Sequence, residues 1–569
     1  MFEIKARAAS GRVGRWQIGK YSVTTPTLAV VVTPNSRIVS LRDIKKIGAE
    51  IIITNAYIMK KSEHAEQIEK KGVHKFYGWD GPIYTDSGTF QMYSQGKFEI
   101  TPQETLEFQK SIGSDVITPL DLFTLPTDSK EVAREKLKET ILRIRSAREI
   151  IQKQQLCGPV QGGAYPELRK KAALEVSKAN PDIFAIGGIV PMMEQYRFSK
   201  LVEAILSARR NLDTSKPLHA FGAGHPMIFA LLAAIGIDFF DSAAYAIFAR
   251  QGRYLTVNGT KAISELHELP CSCPVCSENT ARELAGDTSL LAKHNLYATF
   301  EEIKTIRQAI FDGSLWELLE QRIRSHPAML EAYKTLGKYR KFLETSEPVS
   351  SKHAFFYLGK ESLQRPAVFR AKNRLAAMKF TKKDETFGWL GLKVPLGLKM
   401  IYPFGQSVIP GQKKSGVAKP IDAARQVISY QYRMPLLKAK KAIGREGVAE
   451  ISRNTGRLQR LKSKDMLLGT FRDSDGYFVP TFAGAKELAK QLHGAYTVHV
   501  NKDVESFIRE GKTLFSKFVA GADDKIRPGD EVFVVGSAGE LLATGTALLN
   551  SREMTSFKYG IAVDTRHIN

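Results

Sequence analysis

Ile83-Tyr84-Thr85-Asp86-Ser87-Gly88-Thr89-Phe90-Gln91-Met92 is the stretch whose reading decides the fold. A short apolar run, Pro82 to Tyr84, ends in a carboxylate, a hydroxyl, a glycine and an aromatic. Such a run reads as a buried strand that stops at Tyr84 and sets Asp86 on the loop beyond it. Gly88 lets the backbone come close to a ligand, and Phe90 offers a flat face beside it. An aspartate after one strand is more often a turn residue or helix cap than a catalyst, so the rest of the chain must decide its role.

The same grammar recurs along the first half of the chain. Apolar runs stand at Thr27–Val32, Ile51–Ala56, Pro82–Thr85, Val116–Leu120, Cys157–Val160, Ile183–Ile186, Leu218–Phe221 and Asp238–Phe240. Between them, Ser129–Lys153, Tyr165–Ala179 and Phe198–Leu212 have helical spacing and helix-forming composition. Alternating strand and helix implies parallel pairing through right-handed crossovers. Eight repeats over about 250 residues predict an α/β fold of the closed (β/α)8 TIM-barrel kind. An open doubly wound sheet is the alternative, because the pattern does not report closure.

A barrel places its functional side chains at the C-terminal ends of the strands. Asp86, Asp121, Gln161 with Gly162 and Gly163, Gly187-Gly188, Gly222 with Gly224, and Asp241 all fall there. Three carboxylates at one mouth without a histidine cluster give a metal hydrolase little support. Two carboxylates flanking an anomeric carbon suit glycosyl chemistry, one attacking and the other moving protons. Asp121, Gln161 and the backbone N–H of Gly187 or Gly188 could read the edge of a planar heterocycle. Phe90 and Phe221 could sandwich it, or simply pack in the core.

Composition narrows the partner. The net charge is +24, and from Lys352 to Arg472 there are 26 Lys+Arg against 7 Asp+Glu, a local excess of 26 − 7 = +19. Such a field attracts a polyanion by counterion release, so nucleic acid is favoured over an idle basic surface. No strongly amphipathic basic helix supports membrane-surface binding. The longest uncharged apolar run, Met227 to Ile237, has 11 residues, well short of the roughly 18–20 that span a bilayer. The N-terminus, Met1-Phe2-Glu3-Ile4-Lys5, lacks the pattern of a signal peptide. The expectation is a cytoplasmic protein without a membrane partner.

Three of the four cysteines crowd into Cys271-Ser272-Cys273-Pro274-Val275-Cys276, and His294 follows after a 17-residue gap. Three thiolates and an imidazole make a closed tetrahedral Zn2+ site, which is structural rather than catalytic. His267 is the weaker candidate for the fourth ligand, and Cys157, on a strand, reads as plain core. The helix-like Thr299–Ile310 follows His294.

Beyond Leu343 the pattern breaks at 346–351 and again at Gly411-Gln412-Lys413-Lys414-Ser415-Gly416. This predicts a first domain over 1–345, small basic domains of α+β character over 346–418 and 419–495, and a β-rich domain over 496–569. Arg453, Arg457, Arg460, Lys462 and Lys464 form the densest basic cluster. Strands are expected at Tyr496–Val500, Phe515–Val519, Glu531–Val535 and Leu541–Ala547, separated by turns such as Arg527-Pro528-Gly529-Asp530.

Tyr84–Gln91, Val160-Gln161-Gly162-Gly163-Ala164-Tyr165-Pro166-Glu167-Leu168-Arg169, Ala185-Ile186-Gly187-Gly188 and Phe239-Phe240-Asp241-Ser242 together resemble the tRNA-guanine transglycosylases. Residues Lys517-Phe518-Val519, Arg527–Val532 and Leu542-Ala543-Thr544-Gly545 resemble a PUA RNA-binding domain. The combination is similar to the archaeal branch of the queuine/archaeosine tRNA-ribosyltransferase family. The resemblance implies exchange of guanine 15 in the tRNA D arm for 7-cyano-7-deazaguanine (preQ0), towards archaeosine. It implies Asp241 as the nucleophile on ribose C1′ and Asp86 as general acid/base. Asp121, Gln161, Gly188 and Ser87 would bind the base, with Phe90 and Phe221 stacking on it. Arg250, Lys517 and Arg527 would meet RNA, and the PUA domain the acceptor stem. It further implies zinc on Cys271, Cys273, Cys276 and His294, and a homodimer formed through the zinc arm. Thr89, where relatives often have glycine, and Ser-Ala-Ala-Tyr-Ala after Asp241 depart from the bacterial pattern. A non-catalytic tRNA-binding or remodelling protein on the same scaffold is the alternative. A polysaccharide glycosidase fits the basic tail poorly.

Overall fold

The computed structural model describes every residue except 36, 96–99, 126, 152, 382–384 and 569, and every side chain of those described except 93–95. It resolves into two compact units. The first comprises Met1–Ala6, Gly11–Phe311 and Leu318–Leu336, and the second Arg7–Ser10, Asp312–Glu317 and Gly337–Asn569.

Strands β1 (Phe2–Ala8), which lies in the first unit as far as Ala6, β2 (Gly11–Ile18) and β3 (Tyr21–Thr25) form a three-stranded sheet in that order, with β2 and β3 antiparallel. The next eight strands are β4 (Thr27–Val31), β5 (Ile52–Asn55), β6 (Ile83–Asp86), β7 (Val116–Ile117), β8 (Gln155–Val160), β9 (Ile183–Ile186), β10 (Leu218–Ala220) and β11 (Phe239–Ser242). They close as a parallel barrel in chain order, with β11 pairing back onto β4. Each corresponds to one of the expected apolar runs. The intervening helices include Lys130–Ile150, capped by the Ser129 side chain, Pro166–Lys178 and Phe198–Arg209.

Strand parity fills the barrel. Alternate residues of a strand share one face, and Ala29, Ile51, Ile53, Tyr84, Val116, Cys157, Ile183, Ala185 and Phe239 make one buried cluster. Phe2, Trp16, Ile18 and Val23 of the N-terminal sheet pack into the same cluster. The sequence pattern did not announce this sheet. Cys157 lies in the core, as expected. Strand β7 is shorter than its apolar run because the Gln109 amide takes the place of a partner strand. Gln109 donates to Thr118 O (2.8 Å) and accepts from Thr118 N (3.0 Å), which carries the chain away before Asp121.

Carboxylates tie the strands together at their N-terminal ends. Asp115 accepts from Ile83 N, Asp182 from Leu156 N, and Asp238 from Leu218 N, each time a backbone donor at the start of the preceding strand. Each carboxylate also meets a basic side chain: His74, Arg148 and Arg12 respectively.

The second unit mixes helices, such as Pro366–Met378 and Pro420–Gln431, with an antiparallel four-stranded sheet, 447–480. Its last part is a six-stranded sheet with strands Thr497–Val500, Leu514–Phe515, Val519–Ala522, Glu531–Val535, Leu541–Ala547 and Ile561–Ile568. The single strand expected over Phe515–Val519 is two short strands around a 3-10 turn at Ser516–Phe518. The final strand, in which Asp564-Thr565-Arg566-His567 follow an apolar start, was not expected from the sequence.

Buried ion pairs organise this unit. Glu344 receives Arg370 (2.8 Å), Arg527 (2.9 Å) and Arg433 (3.2 Å), and Arg374 meets Asp530 at 2.9 Å. Among the described residues, no helix is long and apolar enough to cross a membrane.

Candidate active site

Parity that fills the barrel also aims its polar residues. Continuing the inward faces of β5, β6, β10 and β11 past the apolar layer brings Asn55, Asp86, Phe221 and Asp241 to the C-terminal mouth. Asp86 ends β6 opposite Asn55 of β5. Its Oδ2 accepts from Asn55 Nδ2 at 3.0 Å, and the same amide donates to Gln91 Oε1 at 2.8 Å. Asn55 thus orients Asp86, a role that no single-strand reading of the sequence suggested.

Burial, followed by the negative charges of Asp121 and Asp241, pushes the Asp86 carboxyl up to about 7, against the backbone N–H of Gly88 and Ser87. Gly88 has φ +90°, and a Cβ there would lie 2.3 Å from Tyr57 Cβ. Only glycine allows this turn to sit against the Tyr57 side chain. Ser87 Oγ lies 3.1 Å from Thr89 Oγ1, which donates to Asp121 O at 3.0 Å. Thr89 thereby ties the Asp86 loop to the Asp121 loop.

Asp121 is buried and accepts from Gln161 Nε2. Burial raises its pKa, opposed by the Gln161 and Thr89 hydrogen bonds. Gln161 Oε1 is buried without a hydrogen-bond partner among the described residues. A Cβ on Gly188 (φ +66°) would come within 3.0 Å of that oxygen. The backbone next to Gln161 and Gly188 is held by Arg169, which is fully buried. It donates to Gly163 O (2.9 Å), Val160 O (2.7 Å) and Gly187 O (2.8 Å).

Asp241 on β11 accepts from Gly222 N through Oδ1 at 2.7 Å, and His219 Nε2 lies 2.9 Å from the same oxygen. Phe221 is half-buried, its ring 4.7 Å from that of His219. Phe90 is 49% exposed, its edge or face against Phe123 at 5.7 Å. The mouth therefore carries two carboxylates in different settings, a buried amide–carboxylate pair, and aromatic rings. That set can bind a polar heterocycle and do chemistry that needs one anionic group and one proton carrier.

Apart from the mouth, Cys271, Cys273, Cys276 and His294 bring their ligand atoms within 4.8 Å of one another. His294 Nε2 lies 3.1 Å from Leu255 O, and Nδ1 faces Cys276 Sγ at 3.2 Å and Cys273 Sγ at 3.7 Å. Donation from Nε2–H to the carbonyl leaves Nδ1 as the ligand. Spacing and donor set fit a tetrahedral metal ion. His294 sits inside the helix Thr288–Asp312, which begins well before the expected Thr299. His267 is exposed and outside the cluster.

Among the residues expected to meet RNA, Arg250 is exposed at the end of the helix Ala244–Arg250, and Lys517 is exposed. Arg527 is a correction. Its guanidinium is buried on Glu344 and on the carbonyls of Asp524 and Ile526, so it is spent on the fold. The exposed Arg460 and the half-buried Lys462 face Glu450 at 4.0 and 2.7 Å.

A family model described as queuine tRNA-ribosyltransferase matches residues 7–328, more than half of the chain. The chain belongs to this family. As a queuine tRNA-ribosyltransferase family member it is an enzyme, a pentosyltransferase. A model for the patch-forming domain C2 of tRNA-guanine transglycosylase matches 422–494, and a PUA domain model matches 496–569. The family member from Methanocaldococcus jannaschii called tRNA-guanine(15) transglycosylase is 40% identical, covering 99% of this chain and 99% of its own. Its namesakes from Thermococcus kodakarensis and Pyrococcus furiosus are 43% and 41% identical, each covering 99% of this chain and 98% and 97% of their own.

Proposed function

We propose that this family member is a tRNA-guanine(15) transglycosylase that exchanges guanine in the D arm for preQ0, in archaeosine synthesis, through a covalent bond between Asp241 and ribose. Full-length similarity to proteins of that name supports the position in tRNA. The observation that carries the mechanism is the contrast between Asp241, a carboxylate held by the Gly222 N–H, and Asp86, lifted to about 7.

Asp241 attacks C1′ as the C1′–N9 bond breaks, and the bonding pair leaves on guanine. Asp86 gives guanine its proton, so the leaving group departs neutral. The incoming base returns a proton from N9 to Asp86 and takes C1′ from Asp241. The enzyme-bound ester keeps the energy of the glycosidic bond, so no nucleotide triphosphate is consumed. Asp121, Gln161, Gly188 and Ser87 read the base, and Phe90 and Phe221 stack on it. The target nucleotide must leave its stack to reach them.

The remaining assignments complete this reading. Cys271, Cys273, Cys276 and His294 hold a structural Zn2+, supported by their donor set and spacing. Residues 1–345 catalyse, the basic domains 346–418 and 419–495 and the PUA domain 496–569 hold the D arm and acceptor stem. Arg250 and Lys517 contribute to this grip. The working form is a cytoplasmic homodimer. Exchange of labelled guanine and of preQ0 into tRNA, mapped to the nucleotide, tests the reading. Incorporation confined to position 15 supports it; tRNA binding with no incorporation would instead favour a remodelling protein without catalysis.

A further inference from the structure

Asp241 Oδ1 has two neighbours that can donate to it, Gly222 N at 2.7 Å and His219 Nε2 at 2.9 Å. His219 is 0% exposed and sits on the inward face of β10, among the rings of Tyr84, Phe221 and Phe239. The imidazole meets Asp241 within hydrogen-bond distance but off the ideal line. As the side chains stand, neither ring nitrogen has a hydrogen-bond partner among the described residues, and Asp241 Oδ1 is the acceptor within reach of Nε2. A buried polar ring without another partner is costly unless it makes this one bond. Catalytic hydrogen bonds commonly align only when substrate is bound.

We propose that His219 is a positioning residue for the nucleophile: its Nε2–H and the Gly222 N–H together hold Asp241 Oδ1, so that Oδ2 is the oxygen that bonds to ribose C1′. This rests on the reading of Asp241 as nucleophile and adds which oxygen acts and what holds it. An unrestrained carboxylate presents either oxygen by rotation, and two donors on Oδ1 stop that rotation. In the first half-reaction the Oδ2–C1′ bond forms as C1′–N9 breaks, and Oδ1 becomes the ester carbonyl oxygen. In the second, N9 of the incoming base bonds to C1′ and the Oδ2–C1′ pair returns to the carboxylate. The returning negative charge is shared with Oδ1, which the Gly222 N–H already bonds and which His219 Nε2 faces at 2.9 Å. Donors aimed at developing charge act in the transition state without reorganising. The proton that the imidazole contributes in this arrangement is the one on Nε2, the nitrogen nearest Asp241.

The test compares His219→Phe, which fills the space without a donor, with His219→Gln, which restores a side-chain N–H, in the full-length protein with tRNA and guanine. Loss of one charge-assisted hydrogen bond predicts a fall in kcat of about 10- to 100-fold for His219→Phe, an unchanged KM for tRNA, and substantial recovery in His219→Gln. Wild-type kcat in His219→Phe overturns the proposal. Equal loss in both variants also overturns it, since packing alone would then explain the effect. Tautomer assignment by nitrogen NMR of histidine-labelled wild-type protein needs no variant to fold: Nε2–H is expected for His219, and Nδ1–H overturns the proposal. Asp241→Ala separates the two readings. If it keeps exchanging guanine, the assignment of the nucleophile fails; if it is inactive while His219→Phe is normal, only the inference about His219 fails.

Discussion

Asp86 and Asp241 carry the same side chain at the ends of two strands of one barrel, yet their surroundings give them different work. Burial and two neighbouring carboxylates lift Asp86 to about 7, where a side chain gives and takes protons with comparable ease. In the proposed mechanism each round of guanine exchange uses Asp86 protonated in one half and deprotonated in the other. Its rate should therefore peak near pH 7, falling below as the base form is lost and above as the acid form is lost. A pH–rate profile that stays level from pH 5 to pH 9 would remove Asp86 from proton transfer. Both aspartates were legible in the sequence, because each followed an apolar run. Asn55 and His219 were not singled out, although strand parity places them: His219 shares its face with Phe221, and Asn55 with Ile53. Arg169 stood in a recognised motif, but its three carbonyl acceptors lie at the ends of two strands, Val160 and Gly163 at β8 and Gly187 at β9, which meet only in the fold. Arg527 shows the opposite error, since a basic residue in an RNA-binding motif proved to be buried on Glu344.

At the scale of elements, the barrel was readable because its strands are buried on both faces and appear as plain apolar runs. Strand β7 ended early for a reason that no run records, a side-chain amide of Gln109 replacing a neighbouring strand. The N-terminal sheet escaped notice because Phe2, Trp16, Ile18 and Val23 are spread among polar residues and find their cluster only in three dimensions. The lower rim separates stability from chemistry. Asp238 pairs with Arg12 at 2.7 Å, with the two side chains 0% and 3% exposed. Asp238→Ala strands a buried guanidinium and should cost about 3–5 kcal/mol, read as a lower Tm. At a temperature where the variant remains folded, kcat should be near wild type, because the chemistry lies at the other end of the strand. An unchanged Tm would contradict the rim assignment.

On the scale of the whole molecule, the excess positive charge of the C-terminal third was visible from counting, whereas the use made of some of that charge was not. Glu344 gathers three guanidinium groups. Burial alone would raise its pKa, but Arg370, Arg527 and Arg433 outweigh burial and hold it near 2, below the usual 4.5. Its contribution is therefore complete above about pH 4.5 and lost as pH falls towards 2, on the order of 3 kcal/mol in all. Acid titration of Glu344→Gln should show less loss of stability across that window than wild type; parallel curves would contradict the assignment. Chelation should lower Tm through the cluster at Cys271, Cys273, Cys276 and His294, and an unchanged Tm in metal-free protein would deny it a structural role. The central claim is that Asp241 makes the bond to tRNA. The most direct measurement is a denaturing gel of enzyme incubated with end-labelled tRNA and quenched during turnover. The account predicts a labelled adduct in the wild type that disappears on adding excess guanine and is absent in Asp241→Ala, although that variant still binds tRNA. An equal adduct in Asp241→Ala, or guanine exchange that survives the substitution, would contradict it.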